Sequence, residues 1–220
     1  MPGDIGQWLE KIWAHREETV YPSFFGPLEK GMYPLMAKDF ARYGKAEPDP
    51  RFLLHGVLTS PPNERRKTWL YVSTGMSNAW GQTPETTDPQ EYSGLGYELV
   101  VEAPEKADWP VTLLQWLMVV QLLVAAGNLE GQLLEWHDWV PVGGALDGKN
   151  SELTSVIIGE PDGFPKTFDL ASGKVDLLVC VGITQREREF AKAQGGEGLI
   201  KLLRHHGVWP VTDPARGSVV

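Results

Sequence analysis

Apolar positions at the start of the chain repeat with the period of a helix. One face is formed by Ile5, Trp8, Leu9, Ile12 and Trp13. The polar face carries Glu10, Lys11, Arg16 and Glu17. Spacings of three and four residues place side chains on one side of an α-helix, and Asp4 is a suitable cap. The pattern therefore predicts an amphipathic helix over 4–18, within the N-terminal segment 1–20. The proline-rich residues 22–34 predict an extended connection after this helix.

Two short runs that are rich in β-branched and aromatic residues follow. Residues 52–58 are FLLHGVL, and residues 68–74 are TWLYVST. The segment PPNERRK between them contains turn-forming and charged residues, so we predict an antiparallel hairpin of two strands. After Gly75, the polar segment MSNAWGQTPETTDPQEYSG predicts a long surface loop.

A third run, LGYELVVEA, alternates between two kinds of side chain. Leu95, Tyr97, Leu99 and Val101 fall on one face, and Glu98, Val100 and Glu102 fall on the other. Because successive side chains of a strand point to opposite faces of the sheet, this pattern predicts a half-buried strand. If Glu98 is buried, it needs a polar or charged partner.

The second half of the chain predicts one buried helix, three strands and two further helices. The buried helix begins near Pro110, capped by Asp108 or by a capping box at Thr112 and Gln115, and ends near Ala126. It is apolar nearly all round, which is typical of a helix packed on several sides. The predicted strands are residues 153–158, 166–170 and 174–182. The predicted final helices are residues 184–194, opened by the capping box TQRE, and residues 197–206.

These elements predict a single α+β domain over residues 1–220. Its expected core is a mixed, largely antiparallel β-sheet flanked by helices. The sequence has no internal repeat and no low-complexity tract that would divide the chain.

Charge narrows the functional classes. The chain has 29 acidic and 20 basic residues and a formal charge of −9. Nucleic acids and anionic membrane surfaces attract basic proteins, so the acidic balance argues against both as partners. The longest apolar run, residues 113–126, is shorter than a membrane span requires. Since the N-terminus also has no signal-peptide pattern, we expect a soluble cytoplasmic protein.

The sequence offers little for catalysis or metal binding. The lone Cys180 lies in the apolar run DLLVCVGI, so we expect a buried thiol. The sequence contains no HExxH, CxxC, acidic calcium loop, GxSxG elbow or phosphate loop. We therefore expect no catalytic residue, no metal site and no cofactor. The alternative is an enzyme built around His137, Asp138 and the loop 76–94.

Tryptophan is unusually frequent, with nine residues. Those on predicted elements, which we expect in the core, are Trp8, Trp13, Trp69 and Trp116. Those in loops or at the ends of elements are Trp80, Trp109, Trp136, Trp139 and Trp209. Indoles in loops either cover the core or anchor a partner. A further alternative is an aromatic cage for a small ligand, lined by at least two of Trp80, Trp136, Trp139 and Trp209.

Five segments in register resemble the Suppressor of fused domain family. They are YVSTGMSNAW, SGLGYELVVE, DWPVTLLQWLM, EWHDW and VGITQREREFAKAQGGEGLIKLLRHHGVWPVTDPARGS. Their order and approximate spacing agree from about residue 30 to residue 218. The most specific features are the Gly-aromatic-Glu-Leu strand, the Trp-Pro helix entry and the pair of C-terminal helices.

The resemblance implies a protein-binding domain without catalytic residues. Animal members are non-enzymatic regulators that hold an extended peptide of a transcription factor between this domain and a second one. Single-domain members are typical of bacteria, and some are proposed to be immunity proteins that neutralise a toxin domain. The implied partner is therefore a protein, with a basic toxin domain as one candidate, and the oligomeric state stays open.

We interpret the residues that carry the resemblance as structural. They are Tyr71, Gly75, Gly94, Gly96, Tyr97, Glu98, Trp109, Pro110, Trp136, His137, Gln194, Gly198 and Asp213. Gly75 and Gly96 are expected at sharp backbone turns, and Gln194 and Gly198 at the junction of the last two helices. The loop that precedes SGLGYELVVE differs from the peptide-contact region of the animal members, so no peptide-binding residue is carried over. The candidate partner contacts are Trp80, Trp139, Glu85, Asp88 and Glu91.

Overall fold

A computed structural model describes residues 2–220, with side chains from residue 5 onwards, and its centre is an eight-stranded sheet. The strands are β1 (Tyr33–Pro34), β2 (Gly56–Ser60), β3 (Trp69–Thr74), β4 (Tyr92–Ala103), β5 (Trp139–Pro141), β6 (Leu153–Gly159), β7 (Thr167–Leu170) and β8 (Gly173–Thr184). Their order is β1-β2-β3-β4-β8-β6-β5, and β7 pairs with the first part of β8. β4 and β8 are parallel, and the other described pairs are antiparallel. The predicted mixed, largely antiparallel sheet is confirmed.

Helices cover both faces of this sheet. They are α1 (Pro2–Ala14), α2 (Tyr21–Phe25), α3 (Ala37–Ala41), α4 (Trp109–Ala125), α5 (Gln185–Gln194) and α6 (Gly196–His205). A π-helical turn, His15–Val20, joins α1 to α2, and a 3₁₀ turn, Pro50–Leu54, precedes β2. α3 and α4 pack on one face, and α1, α2, α5 and α6 pack on the other. No helix in the described residues is long and apolar enough to cross a membrane.

β4 is buried on both faces, which corrects the prediction of a half-buried strand. Tyr97, Leu99 and Val101 belong to the apolar layer under α4. Val100 belongs to the opposite layer, and Glu98 on the same side is completely buried. The sequence pattern separated acidic from apolar positions correctly. It could not show that the acidic side also faces a helix-covered core.

The N-terminal half contains the predicted elements with shifted ends. β2 and β3 form the expected antiparallel hairpin. The first half of the predicted strand at 52–58 is wrong, because these residues belong to a 3₁₀ turn whose cap, Asp49, accepts a hydrogen bond from Arg51 N at 2.9 Å. The extended connection predicted over 22–34 begins only after Phe25, because α2 continues to that residue. The predicted cap at Asp4 lies outside the described side chains.

α4 is the buried helix that the sequence predicted. Pro110 lies in its first turn, where a missing N–H is tolerated, and ten of its 17 residues are buried. Asp108 is the N-cap residue, as predicted, but the alternative capping box at Thr112 and Gln115 is wrong. Asp108 makes no capping hydrogen bond with its side chain, and Thr112 lies inside the helix with Oγ1 3.2 Å from the Asp108 carbonyl oxygen.

The capping box at the start of α5 is confirmed, and the C-terminal tail is attached to it. Thr184 N donates to Glu187 Oε2 at 2.8 Å, and Glu187 N donates to Thr184 Oγ1 at 3.2 Å. Arg216 donates to both oxygens of the buried Glu187 carboxylate, at 2.6 and 2.8 Å. The tail is therefore held against β8 and α5 by an ion pair with little access to water.

Candidate functional site

Arg16 and Glu98 form a buried ion pair between the N-terminal helical segment and the sheet. Nη1 of Arg16 lies 3.5 Å from Oε1 of Glu98, and both residues are at most 1% exposed. Nη1 also donates to Ser77 Oγ at 2.9 Å and to Asn78 Oδ1 at 3.0 Å. Nη2 donates to Thr74 Oγ1 at 2.6 Å. A guanidinium with five donors suits such a cluster of acceptors.

Arg16, which the sequence placed on the polar face of the first helix, is buried. Arg16 is the second residue of the π-helical turn. A π-helical turn has more residues than an α-helical turn, so the angular positions of side chains after Ala14 depart from the 3.6-residue pattern. The turn directs Arg16 towards Glu98 in place of solvent.

Glu98 has the partners that a buried carboxylate requires. Besides Arg16, it accepts hydrogen bonds from Ser77 N at 2.9 Å, Ser77 Oγ at 2.6 Å, Gly75 N at 3.1 Å and Ser73 Oγ. Burial raises the pKa of Glu98, and the Arg16 cation and these donors oppose the rise. Because both carboxylate oxygens are occupied internally, we interpret the cluster as a structural connection between α1 and the sheet.

Tyr71 and Tyr97, two of the residues that carry the family resemblance, also hold neighbouring segments in place. Tyr71 on β3 donates to the Ala107 carbonyl oxygen at 3.0 Å and accepts from Ala107 N at 2.8 Å. This contact fixes the link that leads to Trp109 at the start of α4. Tyr97 on β4 donates to Gln121 Oε1 of α4 at 2.7 Å. The Tyr97 hydroxyl therefore ties the sheet to α4, and the Tyr71 hydroxyl ties the sheet to the link that precedes α4.

Glycines at the signature positions permit turns that other residues rarely adopt. Gly75, Gly94 and Gly96 have φ angles of +120°, +59° and +86°. The bend expected at Gly75 is present, whereas Gly96 lies inside β4, at an irregularity in its pairing with β8. A Cβ atom at Gly75 would also lie 2.6 Å from the His55 ring. The buried histidine and the neighbouring turn therefore require glycine at this position.

The residues near the C-terminus that carry the resemblance, Gln194, Gly198 and Asp213, are less constrained by their surroundings. Gln194 is the exposed last residue of α5. Gly198 has room for a Cβ, whereas one at Gly196 would collide with the His137 carbonyl oxygen. The close approach at this junction therefore involves Gly196. Asp213 Oδ1 accepts a hydrogen bond from Ala215 N at 2.9 Å in a turn of the tail.

β5 is a free edge of the sheet. Among the described residues it pairs only with β6, and its Val140 lies opposite Val156. Hydrogen bonding alternates along an antiparallel strand, and Ile158 N donates to the Asp138 carbonyl oxygen at 2.8 Å. The N–H and C=O of the next residue, Trp139, therefore point away from β6.

A β-bulge precedes this edge strand at His137. Both His137 N and the Asp138 carbonyl oxygen bond to Ile158, each at 2.8 Å, so two residues oppose one. His137 has a φ of +77°, the only positive φ of a non-glycine among the described residues. The first position of this bulge type usually holds glycine. Sequence reasoning missed the bulge because a histidine occupies that position.

A cavity of about 440 Å³ lies beside the bulge; we call it the edge cavity. The polar and aromatic residues in its lining are Tyr92, Tyr97, Glu135, Trp136, His137 and Asp176. The Tyr92 hydroxyl donates to Asp176 Oδ2 at 3.1 Å. The charges of Asp176 and Glu135 raise the pKa of Tyr92. Within the described residues neither carboxylate forms a salt bridge, so the edge cavity is acidic and aromatic.

The structure brings together only part of the alternative enzyme site, since His137 and Tyr92 of the loop 76–94 both line the edge cavity and Asp138 does not. His137 is exposed, and Asp138 Oδ2 accepts from Glu135 N at 2.9 Å. Cys180 is fully buried in β8, and burial raises the pKa of its thiol to about 12. In the part of the chain with described side chains, no three His, Cys, Asp or Glu residues converge as metal ligands would.

The aromatic cage is also not formed. Trp136 lines the edge cavity, Trp80 lines a different cavity and Trp209 is buried in the core. Trp139 is half-buried, with Lys192 Nζ 5.5 Å from its ring centre. Of the candidate partner contacts, Trp80 is likewise half-buried. Those that are fully exposed are Glu85, Asp88 and Glu91.

Comparisons with known proteins agree on one family. The family model of the Suppressor of fused protein (SUFU) matches residues 53–217. The human and mouse Suppressor of fused homologues are each 27% identical over 201 residues, which cover 85% of this chain and 40% of each relative. The chain therefore spans less than half the length of these two relatives.

Solved structures show the same fold. A chain of a crystal structure described as the Sufu–Fu complex matches with a TM-score of 0.65 and 23% identity, covering 96% of this chain and 92% of that one. The SUFU homologue of Neisseria gonorrhoeae matches with a TM-score of 0.63 and 18% identity, covering 98% of both chains. Drosophila Suppressor of fused gives a TM-score of 0.60 at 20% identity over 88% of this chain and 54% of that one. The chain belongs to the Suppressor of fused family.

Proposed function

We propose that this domain binds an extended, basic segment of another protein along the free edge of β5. The observation that carries this proposal is the outward-facing backbone of Trp139, two residues after His137, which lines the acidic edge cavity. An unpaired strand edge is a template for an added strand. One matched structure is described as the Sufu–Fu complex, which supports a protein as the partner.

Charge favours a basic partner. Glu135 and Asp176 form no salt bridge within the described residues, and the rings of Tyr92 and Trp136 line the same cavity, with Lys166 Nζ 5.0 Å from the centre of the Trp136 ring. Carboxylates with aromatic rings suit a lysine or arginine side chain. The net charge of −9 would also accelerate association with a basic partner.

Two substitutions at one position test the edge. Trp139→Pro and Trp139→Val both remove the indole, but only proline removes the outward N–H; hydrogen bonds to β6 come from neighbouring residues. Peptides would be selected from a displayed library of extended basic sequences, and their affinities measured by fluorescence anisotropy. We expect Trp139→Pro to bind roughly tenfold more weakly than Trp139→Val, because one hydrogen bond is lost.

The same titrations separate edge binding from general charge attraction. Affinity for the selected peptides should fall with added salt, because the attraction is partly electrostatic. Equal affinities of the proline and valine variants would rule out strand addition at β5, as would a library that yields no binder.

We further propose that the partner is a toxin domain with a basic surface, and that the protein acts as a non-enzymatic, cytoplasmic immunity protein of a bacterium. The acidic net charge supports this assignment, since nucleases present basic surfaces. Co-expression with candidate toxin domains should restore growth, and a pull-down should recover the complex. Neither protection nor capture across a panel of toxin domains would contradict the immunity role.

A further inference from the structure

A second cavity of about 440 Å³ lies between the 3₁₀ turn and the end of α4; we call it the inner cavity. It shares only Leu95 with the edge cavity. Its lining contains large apolar side chains, which are Phe52, Met76, Leu95, Leu122 and Leu123, and charged ones, which are Lys45, Glu47, Asp49 and Arg51. Its volume falls in the range of pockets that hold small molecules. Two positive and two negative side chains balance one another, so this lining favours an uncharged occupant with apolar surface.

His55 brings an unused hydrogen-bond acceptor to this cavity. The residue is 1% exposed, and its Nδ1 lies 3.1 Å from the Arg51 carbonyl oxygen. Because a carbonyl oxygen only accepts, the ring proton is on Nδ1, and Nε2 carries the lone pair. No group in the described residues donates to Nε2. Burial also lowers the pKa of His55 to about 4, so the ring is neutral at pH 7.

Trp80 brings an unused donor. Its Nε1–H is buried and has no acceptor among the described residues. The ring packs edge-on against Trp13, with centroids 5.6 Å apart, and lies 5.9 Å from the Arg51 guanidinium. The Arg51 charge is compensated by Asp49, since Nη2 lies 2.6 Å from Oδ2. The inner cavity is therefore close to neutral where these two side chains meet it.

We propose that the inner cavity binds a small neutral aromatic molecule that donates a hydrogen bond to His55 Nε2 and accepts one from Trp80 Nε1–H. Buried polar atoms without partners are unfavourable, and such a ligand would satisfy both. Neither nitrogen is open to water in the empty cavity, so the Trp80 ring must shift to admit the ligand. Trp80 lies in the irregular segment 79–91, which can accommodate this movement.

Two probes and their methylated analogues test the proposal. 7-Azaindole has its donor and acceptor side by side, and 4-hydroxyacetophenone has them at opposite ends of the ring. Binding would be followed through the indole Nε1–H resonance of Trp80, assigned with Trp80→Phe. We expect at least one probe to shift this resonance saturably, and its methylated analogue, which has no donor, to bind roughly tenfold more weakly.

Three variants locate the site. His55→Phe keeps a ring but removes the acceptor, so the probe and its methylated analogue should bind equally. Ala126→Phe, at the exposed mouth of the cavity, should abolish binding, whereas Ala193→Phe on the exposed face of α5 should not. The proposal is overturned if neither probe shifts the Trp80 resonance at millimolar concentration. It is also overturned if methylation has no effect on affinity or if Ala126→Phe binds normally.

Discussion

His55 couples the stability of the fold to pH. Its pKa is lowered by burial to about 4 in the folded protein, from an ordinary value of 6.5. Between these values the unfolded chain binds more protons than the folded one, so stability rises with pH in this window and is lost as pH falls from 6.5 towards 4. The full difference is about 3 kcal/mol. Urea denaturation at a series of pH values measures it.

A pair of variants isolates the contribution of His55 to this slope. His55→Gln has no group that titrates in the window, so its stability should depend less on pH than that of the wild type. His206→Gln, at the exposed end of α6, is the matched control and should keep the wild-type slope. An unchanged slope in His55→Gln would contradict the assignment.

Removing only one partner of the Arg16–Glu98 pair is expected to lower the free energy of unfolding strongly. Arg16→Met or Glu98→Gln leaves polar or charged groups buried without their partner, which costs about 3–5 kcal/mol. The double variant should lose less than the sum of the two single losses, because the residues interact directly.

Chemical denaturation of the four proteins in this cycle measures the coupling. The exposed pair Arg204–Asp162, at 2.7 Å, provides the control, and Arg204→Met should cost under about 1 kcal/mol. Additive losses at Arg16 and Glu98 would show that the two side chains do not act as a pair.

At the scale of elements, α4 is expected to be the most sensitive helix. Leu117 is 1% exposed and packs in the layer between α4 and the sheet. Leu117→Ala should reduce the free energy of unfolding by about 2–5 kcal/mol through lost apolar contact and the cavity left behind. Thr112→Ala on the exposed face of the same helix is the control. A loss under about 1 kcal/mol at Leu117 would disprove the packing of this helix.

Elements set by local chemistry were predictable from the sequence. The TQRE capping box gave the start of α5, and Pro110 gave the first turn of α4. Long-range features were not predictable. The parallel pairing of β4 with β8 joins distant segments, and the burial of Glu98 depends on a π-helical turn more than 70 residues earlier.

In the candidate site, too, local features could be predicted from the sequence and features that depend on distant segments could not. The sequence drew attention to Trp136, His137 and Trp139, and these residues do lie at or beside β5. It did not indicate that β5 is an edge or that His137 forms a bulge, because both depend on the partner strand β6. His55 was placed in a strand, and only its burial beside Gly75 and its position in the lining of the inner cavity make it a candidate for binding.

At the scale of the whole molecule, we propose that residues 1–220 form a single cooperative domain. Arg16 joins the N-terminal helices to β4 through Glu98, and Arg216 joins the C-terminal tail to α5 through Glu187. β4 and β8 carry an apolar layer on each face of the sheet. If the helices on one face separated, the strands that also support the other layer would be exposed to water. Thermal unfolding should then give one transition in which near-ultraviolet and far-ultraviolet circular dichroism coincide and the calorimetric and van't Hoff enthalpies agree. An earlier transition confined to the tryptophan signals of α1 would contradict this proposal, because it would show that the N-terminal helices separate from the sheet first.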